Sequence, residues 1–358
     1  MADPTRGATV AVTGASGLVG SHVAEHLANR GFHVVAVLRK PPEFLEKFIS
    51  SYDGQGSIRV AIADIEDADA LKTAFTGVQA VVHAAGSVDP FGSRQSIFAT
   101  NVGGTQNALK AADAAGVRHF VFISSLSVIT GQGDQYDVDE SAPLRPCGES
   151  YADSKIEAET AVMNFRGSSS MQVTSLRPGF IYGPRERSWM PRLINSIGTG
   201  KAMLIDGGTK QTNVIFVGNL ARAVELTLFN ERTYGQVYNL TDGQKISKKE
   251  LFDAIADGLS LPRVTKKVPG ALAKLVCLTV SAIAPSLSIE KQRGLARFSK
   301  AAFRLAAVNQ GFSVAKAEQD LPYTERVPFQ EGMRSTLATF RTSDQALSIK
   351  PTSGALSR

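Results

Sequence analysis

The chain has 358 residues, 43% apolar and 20% charged, so it can bury a large core and is not an intrinsically disordered protein. Its 39 Lys and Arg against 33 Asp and Glu give a formal net charge of +6, without a block of like charge or a base-stacking aromatic array. This mild basicity suits an anionic cofactor or a membrane surface, and no nucleic-acid partner is expected.

The cysteine content and the first residues bear on the compartment. Two cysteines, Cys147 and Cys277, do not make a disulfide scaffold, and neither has the spacing of a metal ligand. The first apolar run, residues 8–13, leads into a glycine motif without the charged region of a secretion signal. We therefore expect a cytoplasmic protein without a bound metal.

Apolar runs and helical patterns alternate through the first half. Strands are predicted at residues 8–13, 33–38, 58–63, 80–84, 120–124 and 173–176. Helices are predicted at residues 18–30, 68–75, 95–115 and 149–165, each followed within two residues by a glycine suited to a C-cap. Buried strands alternating with crossover helices predict an α/β fold with a doubly wound, parallel Rossmann sheet, which binds ligands at the carboxyl ends of its strands.

The pattern is less regular after Pro178. Strands are predicted at residues 213–217 and 236–240, and helices at residues 219–229 and 248–259. We expect residues 1–177 to form mainly the dinucleotide-binding domain and residues 178–340 to complete the sheet and build a smaller substrate-binding lid. Residues 341–358, rich in Ser and Thr, are expected to form a flexible tail.

The segment between the first strand and the first helix reads Gly-Ala-Ser-Gly-Leu-Val-Gly. The first two glycines let backbone amides approach a pyrophosphate at the helix N-terminus, and the third lets the helix pack closely on the strand. The expected cofactor contacts in this loop are Gly14, Ser16, Gly17, Leu18 and Val19.

Arg39 and Lys40 end the second predicted strand, where an acidic residue would hold the ribose hydroxyls of NAD. A guanidinium there can bind a 2′-phosphate in a forked geometry. NADP(H) is therefore favoured over NAD(H), the alternative being a solvated basic pair. His83 is interpreted as a buried structural histidine. Further cofactor contacts are expected after the third and fourth strands, at Asp64, Ile65, Ala84, Ala85 and Gly86.

Tyr151 and Lys155 lie four residues apart in a predicted helix and so project from one face. A free tyrosine has a pKa of about 10, and an ammonium beside it would stabilise the phenolate. Ser125, or less favourably Ser124, would hydrogen-bond the substrate oxygen, and Asn101 could extend a proton relay from Lys155. The cofactor is also expected to contact Ser124, Tyr151 and Lys155. The alternative is that Tyr151 and Lys155 lie on an ordinary solvated helix face.

These motifs resemble the extended short-chain dehydrogenase/reductases, the NAD-dependent epimerase/dehydratase superfamily, over residues 8–340. In that family the segment at residues 176–184 lies against the nicotinamide, which implies cofactor contacts at Pro178, Gly179 and Ile181. The second half, including residues 213–223, is most similar to the 3β-hydroxysteroid dehydrogenase and sterol 4α-carboxylate 3-dehydrogenase branch. Sterol-oxidising members usually carry an acidic residue where Arg39 stands, so this chain departs from their NAD site.

The resemblance also implies where the substrate binds. Its contacts would be Ser87, Val88, Trp189 and Met190, besides Ser125 and Tyr151, although Trp189 is equally explained as a packing residue. The apolar segment at residues 268–289, flanked by basic residues, fits either a helix in a membrane interface or a buried lid helix. Both interpretations favour a lipophilic substrate.

The predicted function is an NAD(P)-dependent oxidoreductase that interconverts a secondary alcohol and a ketone on a steroid-like, isoprenoid or long-chain β-hydroxy or β-keto substrate. A nucleotide-sugar epimerase or dehydratase is the alternative, although Leu126-Ser127-Val128 replaces the acidic pair that dehydratases carry after the catalytic serine. A non-catalytic dinucleotide-binding regulator is a third hypothesis, and a homodimer is compatible with the fold.

Overall fold

A computed structural model describes residues 7–89, 92–130, 133–167, 169–283 and 300–342. Seven strands form the central sheet, and every neighbouring pair in it is parallel. The described strands are β1 (Thr9–Thr13), β2 (His33–Leu38), β3 (Ser57–Ile62), β4 (Ala80–His83), β5 (His119–Ile123), β6 (Gln135–Val138), β7 (Gln172–Pro178), β8 (Phe180–Tyr182), β9 (Leu204–Ile205), β10 (Gln211–Thr212), β11 (Val214–Phe216), β12 (Val237–Leu240), β13 (Ile246–Ser247), β14 (Lys267–Val268) and β15 (Gln310–Phe312).

The sheet order is β12-β7-β5-β4-β1-β2-β3, so the winding direction reverses between β1 and β4. Such a switch point opens a crevice at the carboxyl ends of the strands, where ligands of doubly wound sheets bind. The predicted Rossmann fold is confirmed. Because β12 lies in this sheet, residues beyond 178 contribute to it as well as to the lid.

Helices cover both faces of the sheet and build the second half of the chain. They are α1 (Leu18–Asn29), α2 (Glu43–Ser51), α3 (Ala68–Ala74), α4 (Arg94–Phe98), α5 (Gly104–Ala114), α6 (Ser150–Asn164), α7 (Met190–Gly198), α8 (Val217–Thr227), α9 (Lys248–Gly258), α10 (Gly270–Ile283), α11 (Lys300–Ala307), α12 (Ala315–Asp320) and α13 (Phe329–Thr342). The helix predicted at residues 95–115 is interrupted by a π-helical turn at Ala99–Gly103.

The central sheet has a separate apolar core on each face. Along β1, Val10 and Val12 pack into the core that contains Leu220 of α8, whereas Ala11 between them faces the core that contains Leu109 of α5. Successive residues of a strand point to opposite faces, so a sheet covered on both sides needs apolar residues at every position. This explains the uninterrupted apolar runs in the sequence.

The lid half has its own core between α7, α9 and α13. Tyr182 is fully buried there and donates its hydroxyl hydrogen bond to Asp242 Oδ2 at 2.7 Å. Strand β15 returns to pair with β6, which places Gln310 opposite Gln135. Residues 343–358, most of the expected tail, and residues 284–289 of the apolar segment lie outside the described residues. Among those that are described, no helix is both long and apolar enough to cross a bilayer.

Candidate active site

The glycine loop after β1 brings backbone into close contact at two points. Gly14 has φ +69°, and a Cβ there would lie 2.8 Å from the Cα of Ala85. A Cβ at Gly20 would lie 2.3 Å from the carbonyl oxygen of Gly14. Gly17 is the N-cap of α1 and, with Ser16, is exposed, while Leu18 and Val19 are partly buried. This helix end is exposed, and such an end fits the pyrophosphate of a dinucleotide.

The residues at the ends of β2 and β3 lie on the open side of this loop. Arg39 is 81% exposed, and its Nη1 lies 3.8 Å from Oδ2 of Asp64, while Lys40 is exposed beside it. Ile65 is buried against α5, where a Cβ on Gly104 would lie 2.5 Å from its Cδ1. Arg39 therefore presents an exposed guanidinium at the end of β2, with Asp64 as its acidic neighbour.

His83 at the end of β4 is buried in a hydrogen-bond network. Its Nδ1 lies 2.9 Å from Thr13 Oγ1, and its Nε2 lies 3.2 Å from Thr105 Oγ1. Thr105 donates its own proton to the carbonyl of Asn101 at 2.6 Å, so it accepts from Nε2–H of the histidine. Burial, with the nearby charge of Lys155, lowers the pKa of His83 to about 3. The residue is a neutral structural histidine, as its sequence context indicated.

The π turn at Ala99–Gly103 directs the side chain of Asn101 toward the loop after β4. Asn101 Oδ1 accepts from the Ser87 amide at 2.6 Å, and its Nδ2 donates to the Ser87 carbonyl at 3.0 Å. Nδ2 also donates to Ser154 Oγ on α6 at 2.9 Å. Asn101 therefore ties this loop to the catalytic helix, and π turns are frequent at functional sites. The expected relay from Lys155 through Asn101 stays a prediction.

Ser125 and Tyr151 meet at the carboxyl end of β5. Ser125 accepts from the Ser127 amide at 3.1 Å, and its side chain lies close enough to the Tyr151 phenol to affect its pKa. Burial raises the pKa of Tyr151, and Ser125 opposes that shift only in part. The two side chains that the sequence predicted to share the substrate oxygen therefore lie close together, with the phenol protonated at neutral pH.

Lys155 lies on the same helix but does not contact the phenol as expected. Its Nζ donates to the Ile123 carbonyl at 2.8 Å and lies 4.7 Å from the centre of the Phe122 ring. Burial lowers the pKa of Lys155 to about 8, against the opposing charge of Glu159. The expectation that this ammonium directly lowers the pKa of Tyr151 is corrected, because the charge is held by the end of β5. A Cβ on Gly86 would lie 3.6 Å from Nζ, so the cation borders the loop after β4.

The segment after β7 closes the opposite side of the crevice. A Cβ on Gly179 would lie 1.8 Å from the Asn213 carbonyl oxygen, so Pro178-Gly179 runs in close contact with the chain before β11. Two buried polar atoms, Ser124 Oγ and Asn213 Oδ1, have no hydrogen-bond partner among the described residues. Ser124 follows β5 and Asn213 adjoins Gly179, which fits a polar ligand group in the crevice.

The predicted substrate contacts differ in their packing. Ser87 is partly buried and Val88 is 61% exposed, so Val88 is free to contact a ligand. Trp189 donates from Nε1 to the carbonyl of Ile181 at 2.9 Å, so its indole is fixed by packing. Met190 has no exposed surface and lies in the lid core. The expectation that Met190 contacts substrate is corrected, because the residue faces the inside of the lid.

Sequence reasoning missed Glu186, which fixes the start of α7. Its Oε1 accepts from the Ser188 amide at 2.7 Å, and its Oε2 accepts from the Met190 amide at 2.8 Å. A carboxylate bonded to the first amides of a helix is also favoured by the helix dipole. Pro191 in the first turn was a sequence signal for this helix start.

Two arginines from distant parts of the chain hold the segment that leads into Tyr151, and both were missed. Arg304 of α11 forms an ion pair with Glu149, the N-cap residue of α6. Arg94 of α4 pairs with Asp153 at 3.0 Å, and the other oxygen of Asp153 accepts from the Cys147 amide at 2.9 Å. A lid helix is therefore attached two residues before the candidate catalytic tyrosine.

Residues 10–241 match the family model described as "NAD dependent epimerase/dehydratase family". The chain belongs to this family. The assignment to the extended short-chain dehydrogenase/reductases is thereby confirmed.

Its relatives include oxidoreductases of lipophilic compounds by name. The 3beta-hydroxysteroid-dehydrogenase/decarboxylase isoform 1 of Arabidopsis thaliana is 28% identical over 92% of this chain and 79% of its own length. The 2-alkyl-3-oxoalkanoate reductase of Shewanella oneidensis is 26% identical over 92% of this chain and 85% of its own length. A solved structure, MoeE5 in complex with UDP-glucose and NAD, is 25% identical, covers 93% of this chain and 98% of its own, and has a TM-score of 0.71. The names of the two sequence relatives agree with the predicted oxidoreductase class.

Proposed function

We propose that this protein is an NAD(P)-dependent oxidoreductase that interconverts a secondary alcohol and a ketone on a lipophilic substrate. The observation that carries the proposal is the proximity of Ser125 and Tyr151, at the carboxyl edge of a sheet whose glycine loop fits a dinucleotide. When bound, the nicotinamide supplies or accepts the hydride. Residues of the chain position the substrate carbonyl and donate or accept the proton.

Ser125 and Tyr151 have different roles at the substrate oxygen. Ser125 is polarised because its Oγ accepts the Ser127 amide, which leaves its own proton available to the substrate oxygen or to the phenol. Burial raises the pKa of Tyr151, so the phenol is a protonated general acid at neutral pH. During reduction, the substrate carbonyl carbon gains a hydride and its oxygen takes the proton of Tyr151. The phenolate is then reprotonated from solvent, and oxidation reverses these steps.

Lys155 would contact the cofactor and bring a positive charge to the site. With its pKa lowered to about 8, it carries a positive charge at neutral pH at the end of β5. A cation in that position can hold the nicotinamide ribose and balance the negative charge of the bound dinucleotide.

NADP(H) is the proposed cofactor, because Arg39 offers an exposed guanidinium where a carboxylate would repel a 2′-phosphate. Arg39→Asp should shift the ratio of kcat/KM for NADPH to that for NADH by about tenfold or more toward NADH, since a charge-assisted forked contact is replaced by repulsion. Arg59→Asp is the matched control, because Arg59 is exposed on the neighbouring β3. An unchanged ratio in the Arg39 variant would remove this residue from the phosphate site.

A lipophilic substrate is supported by the exposed apolar side chains of α10 and by the names of the relatives, which include a hydroxysteroid dehydrogenase and an alkyl-oxoalkanoate reductase. The segment after Ser125 also disfavours dehydration, since Leu126 and Val128 are buried apolar residues and bring no carboxylate to the site.

The decisive experiment incubates the protein with NADPH or NADH and a panel of 3-ketosteroids, long-chain β-keto compounds and UDP-sugars. Loss of reduced-cofactor absorbance in step with consumption of a lipophilic ketone is the expected result. Conversion of a UDP-sugar without net cofactor change would instead establish the epimerase alternative. Dinucleotide binding without conversion of any of these compounds would favour the non-catalytic regulator.

A further inference from the structure

The exposed apolar side chains of this protein are concentrated in one place. Of the ten large apolar residues that are exposed in the described part of the chain, six lie on α10, on α11 packed against it, and beside the β9–β14 pair that precedes it. We call these six residues the α10 surface: Met203, Leu272, Leu275, Leu278, Ile283 and Leu305. A cluster of this kind marks an interaction site more often than scattered apolar residues do.

The solvent-facing side of α10 is apolar, and the helix carries one charged residue, Lys274. Leu272, Leu275 and Leu278 are 52%, 61% and 51% exposed, and Cys277 on the opposite side is buried. The helix has 14 residues and is therefore about 21 Å long, shorter than the roughly 30 Å of a bilayer core. Contact with a membrane would thus place α10 along the surface.

The charges around this surface are mainly positive. Lys201, Lys266, Lys267 and Lys274 are exposed around it, and residues 266–283 contain no Asp or Glu. Asp206, at the start of α10, accepts from the Gly270 amide at 2.7 Å. Lysines beside an apolar face complement the negative charge of anionic lipid headgroups. The surface of a partner protein need not carry such a charge.

We propose that the α10 surface binds the headgroup region of a bilayer that contains anionic lipid, with α10 parallel to the membrane plane. The leucines enter the acyl boundary while the lysines meet lipid phosphates. Arg304 of α11 contacts Glu149, two residues before Tyr151, so the bound surface adjoins the candidate active site. Delivery of a lipophilic substrate from the bilayer rests on the proposed function; membrane binding itself does not.

The test is flotation of the full-length protein with phosphatidylcholine vesicles, with and without about a third of phosphatidylglycerol. We expect binding to the anionic vesicles and a loss of about tenfold or more in the triple variant Leu272→Ser/Leu275→Ser/Leu278→Ser, because the apolar contact is removed. Val60→Ser/Ile62→Ser is the matched control, since both residues are exposed on the edge strand β3. The single variant Leu275→Ser, with a smaller loss, covers the case in which the triple variant fails to fold.

Charge reversal and a catalytic variant complete the design. Lys267→Glu/Lys274→Glu should weaken binding to anionic vesicles, whereas Lys72→Glu/Lys110→Glu, at exposed positions on α3 and α5, should not. Tyr151→Phe should bind vesicles as the unmodified protein does, which separates this proposal from the proposed chemistry. The proposal would be overturned if the protein bound neither vesicle type. It would also be overturned if a folded leucine variant bound as strongly as the unmodified protein. Sedimentation velocity tests the other occupant. If the triple leucine variant lost an oligomer that the unmodified protein forms, while vesicle binding stayed unchanged, the α10 surface would instead be an interface with a second copy of the chain.

Discussion

The sheet half and the lid half of this protein are held in place by different kinds of contact. At the cofactor edge, backbone lies against backbone, as where Gly20 approaches the Gly14 carbonyl. The lid half also depends on side-chain contacts, such as the ion pair of Arg304 with Glu149 and, within the lid, the hydrogen bond from Lys248 Nζ to Gln310 Oε1 at 2.9 Å. Backbone packing tolerates almost no substitution, whereas side-chain contacts can be exchanged. The cofactor site is therefore the constrained part, and substrate choice can change with the lid.

A buried lysine in each half shows the same difference. Burial lowers the pKa of Lys155 to about 8 and that of Lys248 to about 7. Lys155 serves the candidate active site, whereas Lys248 binds the Gln211 carbonyl and Gln310 where β10 and β15 meet. The first lysine lies at the candidate active site, and the second joins α9 to β15 within the lid half.

Replacement of the candidate acid should have the largest effect in the sheet half. Tyr151→Phe removes the proton donor and keeps the ring, so we expect kcat to fall by about 10³-fold with cofactor affinity nearly unchanged. Steady-state rates and cofactor binding by fluorescence measure the two quantities. Tyr136→Phe is the control, because Tyr136 is 67% exposed. A Tyr151 variant with normal turnover would disprove the assigned role.

Two glycine variants can separate the cost of a left-handed backbone from the cost of close contact in the glycine loop. Gly14 and Gly77 have similar positive φ values, +69° and +73°, but only Gly14 has atoms within reach of an added Cβ. Gly77→Ala should destabilise the fold by about 1–2 kcal/mol through its left-handed backbone alone. Gly14→Ala should cost about 3 kcal/mol and also weaken dinucleotide binding, because the clash with Ala85 adds to the strain. Equal losses in urea unfolding of the two variants would show that the contact with Ala85 is not tight.

The first half of the fold was predictable because its signals are local. Continuous apolar runs identified the central strands, and helical spacing placed Tyr151 and Lys155 on one helix. Ser125 followed from its position after β5, and it does lie close to Tyr151. These inferences require only periodicity and the rule that ligands bind at the carboxyl ends of parallel strands.

The remaining features depend on contacts between residues distant in sequence. No local pattern indicates that Arg304 reaches Glu149, that Met190 faces inward, or that Lys155 donates to the Ile123 carbonyl. The π turn around Asn101 is equally invisible, because the sequence keeps helical spacing through it. The lid was thus the harder part to predict, since its contacts are mainly of this kind.

Acid should destabilise this protein through the sheet half, because all five histidines lie within the first 119 residues. His119 is buried with a pKa lowered to about 3, and its Nδ1 accepts from the Phe229 amide at 3.2 Å. The unfolded chain binds this proton at a pKa near 6.5, so the folded state loses stability as pH falls from 6.5 toward 3. His119→Gln should therefore reduce the loss of unfolding free energy between about pH 7.5 and pH 5 by about 2 kcal/mol. Urea unfolding at both pH values measures it, with the exposed His33→Gln as control.

The smallest expected effect lies in the lid. Arg304 is 20% exposed and Glu149 is 31% exposed, so their pair should contribute at most about 1 kcal/mol to the attachment of α11 to the segment before Tyr151. Arg304→Met keeps the aliphatic stem and should raise KM for a lipophilic ketone by about fivefold, with KM for the cofactor unchanged. Arg263→Met, which breaks the exposed pair with Asp257, is the matched control. If Arg304→Met lowered kcat as strongly as Tyr151→Phe, the lid would have to position the phenol itself, and the two halves of the molecule could not be varied independently.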